Sequence, residues 1–222
     1  MDSNNFLSAK QAKVYNAIKK RIKAKRYKPG DKLIENDLAD QLNVSRTSIR
    51  AAYKFLAQEG YIKLVPNQGA YIADFTSEEI WEFFLIRESL EKLATKLAVN
   101  KISEEKLIEY KKAFIEAEKS GNRYDILEIG DDFHQYIIDV GSGKRLKELI
   151  ELLQVPILLI RNISETAPGR IYKSFQEHKD ILDAMIRGDE EEATRLVGEH
   201  IVSTRNGTMN MLLQQGNLEK QG

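Results

Sequence analysis

The chain has 222 residues, with 34 basic and 34 acidic side chains, 42% hydrophobic residues and no cysteine. This is the composition of an ordinary soluble globular protein. It excludes a disulfide framework and a thiolate metal site, and no apolar run approaches the roughly 20 residues that a membrane span needs.

The longest apolar run, Leu152 to Ile160, is too short to span, and the opening MDSNNFLSAK lacks the basic-then-apolar layout of a signal peptide, so a cytoplasmic protein is expected. The formal charge of zero hides two unequal parts. Residues 1–75 carry 14 Lys and Arg against 7 Asp and Glu, and the remainder 20 against 27. A basic first part on an acidic body suggests a polyanion partner for the first part alone.

From Ser8, the apolar residues Val14, Ile18 and Ile22 recur at helical spacing among Lys19, Lys20, Arg21, Lys23, Lys25 and Arg26, which predicts a basic amphipathic helix. Pro29 and Gly30 break it. A short second helix follows over Ile34 to Leu42, and Ser45 is a good N-cap for a third that runs to Gly60 with Ile49, Tyr53 and Phe55 or Leu56 facing inward. YIKLV and AYIAD, separated by Pro66-Asn67-Gln68-Gly69, read as a hairpin. Three helices and a hairpin in this order make a winged helix-turn-helix. Its third helix would then enter the major groove of double-stranded DNA. Arg46 and Arg50 lie four apart on one face and suit bidentate contacts with guanine. Ser45, Thr47 and Ser48 are short donors for phosphate oxygens, and Gly69 at the wing tip lets backbone approach the sugar-phosphate edge.

The stretch GDKLIENDLADQLNVSRTSIRAAYKFLAQEGYIKLVPNQGAYI resembles the DNA-binding domain of the GntR superfamily of transcription regulators. The resemblance implies that Arg46 and Arg50 read bases, that Ser45, Thr47, Ser48 and Gly69 touch backbone or groove, and that Asn36 occupies a position able to face DNA. The chain departs from the usual Glu-Ala-Leu after the second arginine, where it has Ala51-Ala52-Tyr53.

From Thr76 onward only helical patterns appear. Thr76 with Glu79 is a capping-box signal, and Ile80, Phe84, Ile86, Leu90 and Leu93 follow at helical spacing. Further helices are expected over Ser103 to Ser120, about Asn122 to Val140 and Lys144 to Ile163, with Pro168 near the start of a fifth and Asp189 capping a sixth after Gly188. The polar tail from Met211 is expected to fray. The fold class is therefore mainly α: a winged helix-turn-helix in residues 1–75 and an all-α six-helix bundle in 76–222.

All three histidines fall on predicted helices. His178 lies ten residues before Gly188 and His200 twelve after it. Two antiparallel helices joined there place these side chains at levels about 3 Å apart. His134 can complete a tri-histidine face suited to Zn²⁺, Ni²⁺ or a similar cation. DDFHQYI, EHKDILDAMIRGDEEEATRLVGEHI and IRESLEKLA also resemble the FCD ligand-binding domain of the FadR branch, with the helix count of its smaller VanR-like subgroup. That resemblance implies a metal held by His134, His178 and His200. It also implies an aspartate four residues before the first histidine, where this chain has Gly130. Asp131, on roughly the same helical face, or a water is left to fill the fourth position.

Arg87 has two readings: an ion pair with Glu91 one turn on, or a fork for the carboxylate of a small-acid effector, a job for which Arg161 is a second candidate. The function expected is that of a homodimeric transcription regulator, a repressor relieved by its effector. Two other classes remain as comparisons: a scaffold with an empty pocket, and a metal-dependent hydrolase. Glu177 and Glu199 each adjoin a histidine in sequence and project about 100° away from it, which disfavours the enzyme.

Overall fold

The computed structural model describes residues 7–164 and 169–219, which form nine helices and three strands. Pro168 lies outside the described residues. The chain divides into two compact units, one of residues 1–76 with 155–162 and the other of 77–154 with 163–222.

In the first unit, α1 (Ala9–Lys23) opens with a capping box between Ser8 and Gln11 and buries Val14, Ile18 and Ile22, the residues its periodicity picked out. Next come β1 (Lys32–Leu33), α2 (Glu35–Leu42), α3 (Arg46–Gln58), β2 (Ile62–Val65) and β3 (Gly69–Ile72). The strands pair antiparallel in the order β1-β3-β2, with Lys32 opposite Tyr71 and Val65 opposite Gly69. Strand β1 was not foreseen. A two-residue strand carries no period of its own, and Lys32–Leu33 becomes one only because β3 offers a free edge. Ile49, Ala52, Tyr53 and Leu56 of α3 join Leu38, Ile62 and Ile72 in one core. Tyr53, at the departure from the family pattern, is thus a core residue.

Segment 155–162 of a later helix adds Leu159, fully buried, to this core. That helix, α7 (Lys144–Ser164), contains Pro156. Proline has no N–H, so the helix loses the bond to the carbonyl four residues earlier at the place where the chain passes into the first unit.

The second unit is built from α4 (Ser77–Ala98), α5 (Glu104–Ser120), α6 (Arg123–Gly141), the first part of α7, α8 (Arg170–Ile186) and α9 (Glu190–Glu219). The expected terminators are present: Gly121 in the left-handed region after α5, and the Asp189 carboxylate accepting from the Glu192 N–H at the start of α9. Two expectations are corrected. Helix α9 runs to Glu219, past the polar residues from Met211. Ile86 and Leu93 do not face inward with Ile80 and Phe84 but are 42% and 46% exposed, because α4 is apolar on more than one face. At the far end of α4, Gly141 lets α6 come so close that a Cβ there would lie 1.9 Å from the Ala94 carbonyl oxygen.

Candidate nucleic-acid interface and metal centre

The Ser45 hydroxyl accepts from the Ser48 N–H at 3.2 Å and so caps α3, which aims the first turn of that helix outward. Arg46, Arg50, Thr47, Asn36 and Gly69 are all exposed on this unit, and Ser48 is partly so. Gly69 has φ +106°, a conformation that side chains resist, and it closes the three-residue wing turn as the partner of Val65. Glu35, the first residue of α2, was not anticipated. Both of its oxygens accept from Arg50 Nε at 3.0 Å, and Oε2 also accepts from Arg46 Nη2 at 3.4 Å. An acid in the first turn of a helix ordinarily reads as complementing the helix dipole, so nothing in the sequence linked it to arginines eleven and fifteen residues later.

In the second unit α6, α8 and α9 bring His134, His178 and His200 together, with one ring nitrogen of each within 4.8 Å of the others and ring centroids 4.5 to 5.0 Å apart. Carboxylates orient two of the three rings. His134 Nδ1 lies 2.9 Å from Glu91 Oε2, and Glu91 is in turn paired with Arg87 Nε at 2.5 Å. His200 Nδ1 lies 2.8 Å from Glu177 Oε2, which accepts from Arg170 Nη1 at 3.0 Å, while Arg170 Nη2 donates to Thr204 at 2.6 Å. The Glu177 carboxylate fixes His200 Nδ1 as the protonated nitrogen and turns Nε2 and its lone pair to the other side of the ring, and Glu91 stands in the corresponding place beside His134 Nδ1.

Charge and burial support the same protonation. Burial, and then the neighbouring His134, Arg87 and Arg170, push His200 well below the usual histidine range, so its lone pair is open. Burial penalises the Glu91 charge, but the Arg87 guanidinium and His134 outweigh it and hold the carboxyl well below its ordinary value. His134 Nε2 is buried with no hydrogen-bond partner. A buried acceptor without a donor costs about 1–3 kcal/mol, and three convergent imidazoles suit a borderline cation. The residues therefore fit a metal of the Zn or Ni kind.

One sequence expectation changes. Asp131 is exposed and stands outside the histidine group, because three residues before His134 the helix turns it to the surface. Gly130 is the residue that faces the site: a Cβ there would lie 2.6 Å from His178 Nδ1, so the ring rests on the glycine where the family has its aspartate. Of the two readings of Arg87, the structure contains the ion pair with Glu91. Arg161 belongs to the first unit and not to the helices that carry the histidines. Glu177 does project away from its neighbour His178, but toward His200 on the next helix; Glu199 is exposed and pairs with Arg195.

Residues 10–72 match the family described as bacterial regulatory proteins, gntR family, and residues 82–203 match the FCD domain. The chain belongs to the GntR family of regulators with an FCD domain. It is 30% identical over 190 residues to the uncharacterized HTH-type transcriptional regulator YdhC of Bacillus subtilis (strain 168), covering 84% of this chain and 85% of that protein. It is 23% identical over 191 residues to the HTH-type transcriptional repressor RspR of Escherichia coli (strain K12), covering 85% and 84%. A GntR transcriptional regulator from Rhodococcus sp. RHA1 shares the fold, with TM-score 0.77 at 19% identity over 91% of this chain and 99% of that one. This GntR/FCD protein is therefore a DNA-binding transcription regulator and not an enzyme. FCD domains bind metals, and no helix among the described residues is long and apolar enough to cross a membrane.

Proposed function

We propose that this regulator is a cytoplasmic homodimeric repressor. In this reading its FCD unit holds a divalent metal on His134, His178 and His200, and a small organic acid is recruited to that metal. The observation that carries it is the convergence of three imidazoles, His178 and His200 buried and His134 nearly so, two of them aligned by carboxylates that are themselves held by arginines. A bound ion would supply a Lewis-acid anchor for a carboxylate oxygen. Glu91 and Glu177 stand against the Nδ1 atoms of His134 and His200, and Arg87 and Arg170 pair with those two carboxylates. No carboxylate belongs to the histidine group itself among the described residues, so an anionic effector would meet an uncompensated positive centre. The acid would regulate by favouring one arrangement of the paired winged units over another. RspR is named a repressor, which supports the sign.

The DNA half of the reading predicts that Arg46→Ala or Arg50→Ala weakens specific operator binding by about 1–3 kcal/mol and relaxes base preference. Titration of a duplex selected by the wild-type protein measures this, and unchanged affinity in both variants rejects α3 as the base reader.

Helix α4 supports the dimer. Trp81, Leu85, Leu93 and Leu97 are 41 to 46% exposed, and with exposed Ser89 between them they recur every four residues. Such a row is the ridge by which helices pack against one another. A two-fold axis through the small Ser89 would lay this row against the same row of a second copy. Arg205 covers the Trp81 ring at 4.0 Å at one end of the row. Leu93→Lys, at a site exposed in the single chain, should weaken dimerisation at least about tenfold through two lost apolar contacts per dimer. Sedimentation at graded concentration reads it, and an unshifted monomer–dimer equilibrium counts against this face.

A further inference from the structure

We infer that Glu35 is a specificity-determining residue for DNA recognition: it holds Arg46 and Arg50 in the posture that reads bases and withholds them from phosphates. The inference rests on the base-reading role proposed above for the two arginines.

Two guanidiniums one helical turn apart repel each other, and on a free surface each would sample many rotamers. Here one carboxylate collects both. Arg50 reaches it through Nε, with both oxygens at 3.0 Å, and Arg46 through Nη2 at 3.4 Å. Engaging Arg50 by Nε turns its two terminal amino groups outward as a pair, the end-on fork that matches the O6 and N7 acceptors of guanine. Glu35 is well placed to do this because its own position is fixed. It opens α2, where the helix dipole favours a negative charge. The residues on either side of it in sequence are anchored by Leu33, paired in the sheet, and by Leu38 and Ala39, buried in the core with Ile49. Its side chain is 23% exposed, while those of the arginines are 59% and 63% exposed. The anchored acid therefore orders the mobile bases.

The same negative charge acts against wrong partners. A carboxylate between two arginines lowers their attraction for a phosphate backbone at any sequence, since non-specific binding is almost wholly electrostatic. On an operator, the base contacts made by the pre-set forks offset that loss. On other DNA nothing does.

The test is Glu35→Gln, which keeps the shape and removes the charge, in the wild-type background and in Arg46→Ala/Arg50→Ala. The probes are a duplex enriched by the wild-type protein from a random 20-base-pair library and a scrambled duplex of the same composition. In the wild-type background, the ratio of the two affinities should fall about tenfold, and the scrambled duplex should bind more tightly with a steeper salt dependence. In the double-alanine background Glu35→Gln should change the ratio less than about twofold. A ratio within about twofold of wild type in the single variant overturns the inference while leaving the base-reading role intact. An equal fall in both backgrounds overturns it as well, since Glu35 would then act by charge alone. A wild-type protein that enriches no sequence overturns the base-reading role and this inference together.

Discussion

Gly141→Ala is expected to destabilise the helical unit by at least about 3 kcal/mol, at or beyond the upper end of what overpacking costs. The added Cβ would sit 1.9 Å from the Ala94 carbonyl oxygen, 2.8 Å from its carbon and 3.1 Å from the Ala98 Cβ. These are mostly backbone atoms of a neighbouring helix, and no rotamer change relieves them; α4 and α6 must move apart. Ala94, Ile138 and Ile150 share a small buried cluster at this crossing, so the separation opens apolar surface as well. For a chain of this size the loss corresponds to a fall of roughly 10 °C in Tm. Urea unfolding should show the midpoint drop with the slope unchanged. A Tm within about 2 °C of wild type would show that the helices are not packed this closely.

The second large effect is expected at the histidines. Titrating Zn²⁺ or Ni²⁺ into chelator-treated protein should raise its melting temperature. At a metal concentration a thousand times Kd the stabilisation is about 4 kcal/mol. His178→Ala should abolish that response while circular dichroism still reports a folded helical chain. Glu177→Gln leaves three imidazoles in place and weakens only the orientation of His200, so its metal affinity should fall about 10- to 100-fold. Full metal uptake by His178→Ala would refute the triad. If the wild-type protein neither carries metal after purification without chelators nor responds to added ion, the histidines are structural and the unit is a scaffold.

Local features with a strong physical signature were legible in the sequence. The Ser45 cap, the inward face of α1 and the wing hairpin all follow from short-range rules, and the structure contains each. The meeting of His178 and His200 was legible because a single glycine turn fixes the register of two antiparallel helices. Features created by another segment were not. Glu91 could be seen beside Arg87, but not that it reaches His134 on a different helix. Glu177 points away from the histidine beside it in sequence and meets one 23 residues later. Ile86 and Leu93 follow the period of a buried face, yet lie on the outer side of a helix that is apolar on more than one side. Gly130 was visible as a departure, but the ring that rests on it was not.

Helix α4 combines two features described separately above: the close crossing with α6 at Ala94 and the hold on His134 through Glu91. Together they give the helix the proportions of a lever. Three residues, or about 4.5 Å along the axis, separate Glu91 from the crossing, while Ser77, which directly follows the winged unit in sequence, lies about 25 Å from it. A pivot at Ala94 would therefore enlarge a displacement at Glu91 nearly sixfold, by a factor of about 5.7, at Ser77. A few tenths of an ångström at the imidazoles would become more than an ångström at the end of the rod. Ligation could then be felt outside the pocket without any large rearrangement within it.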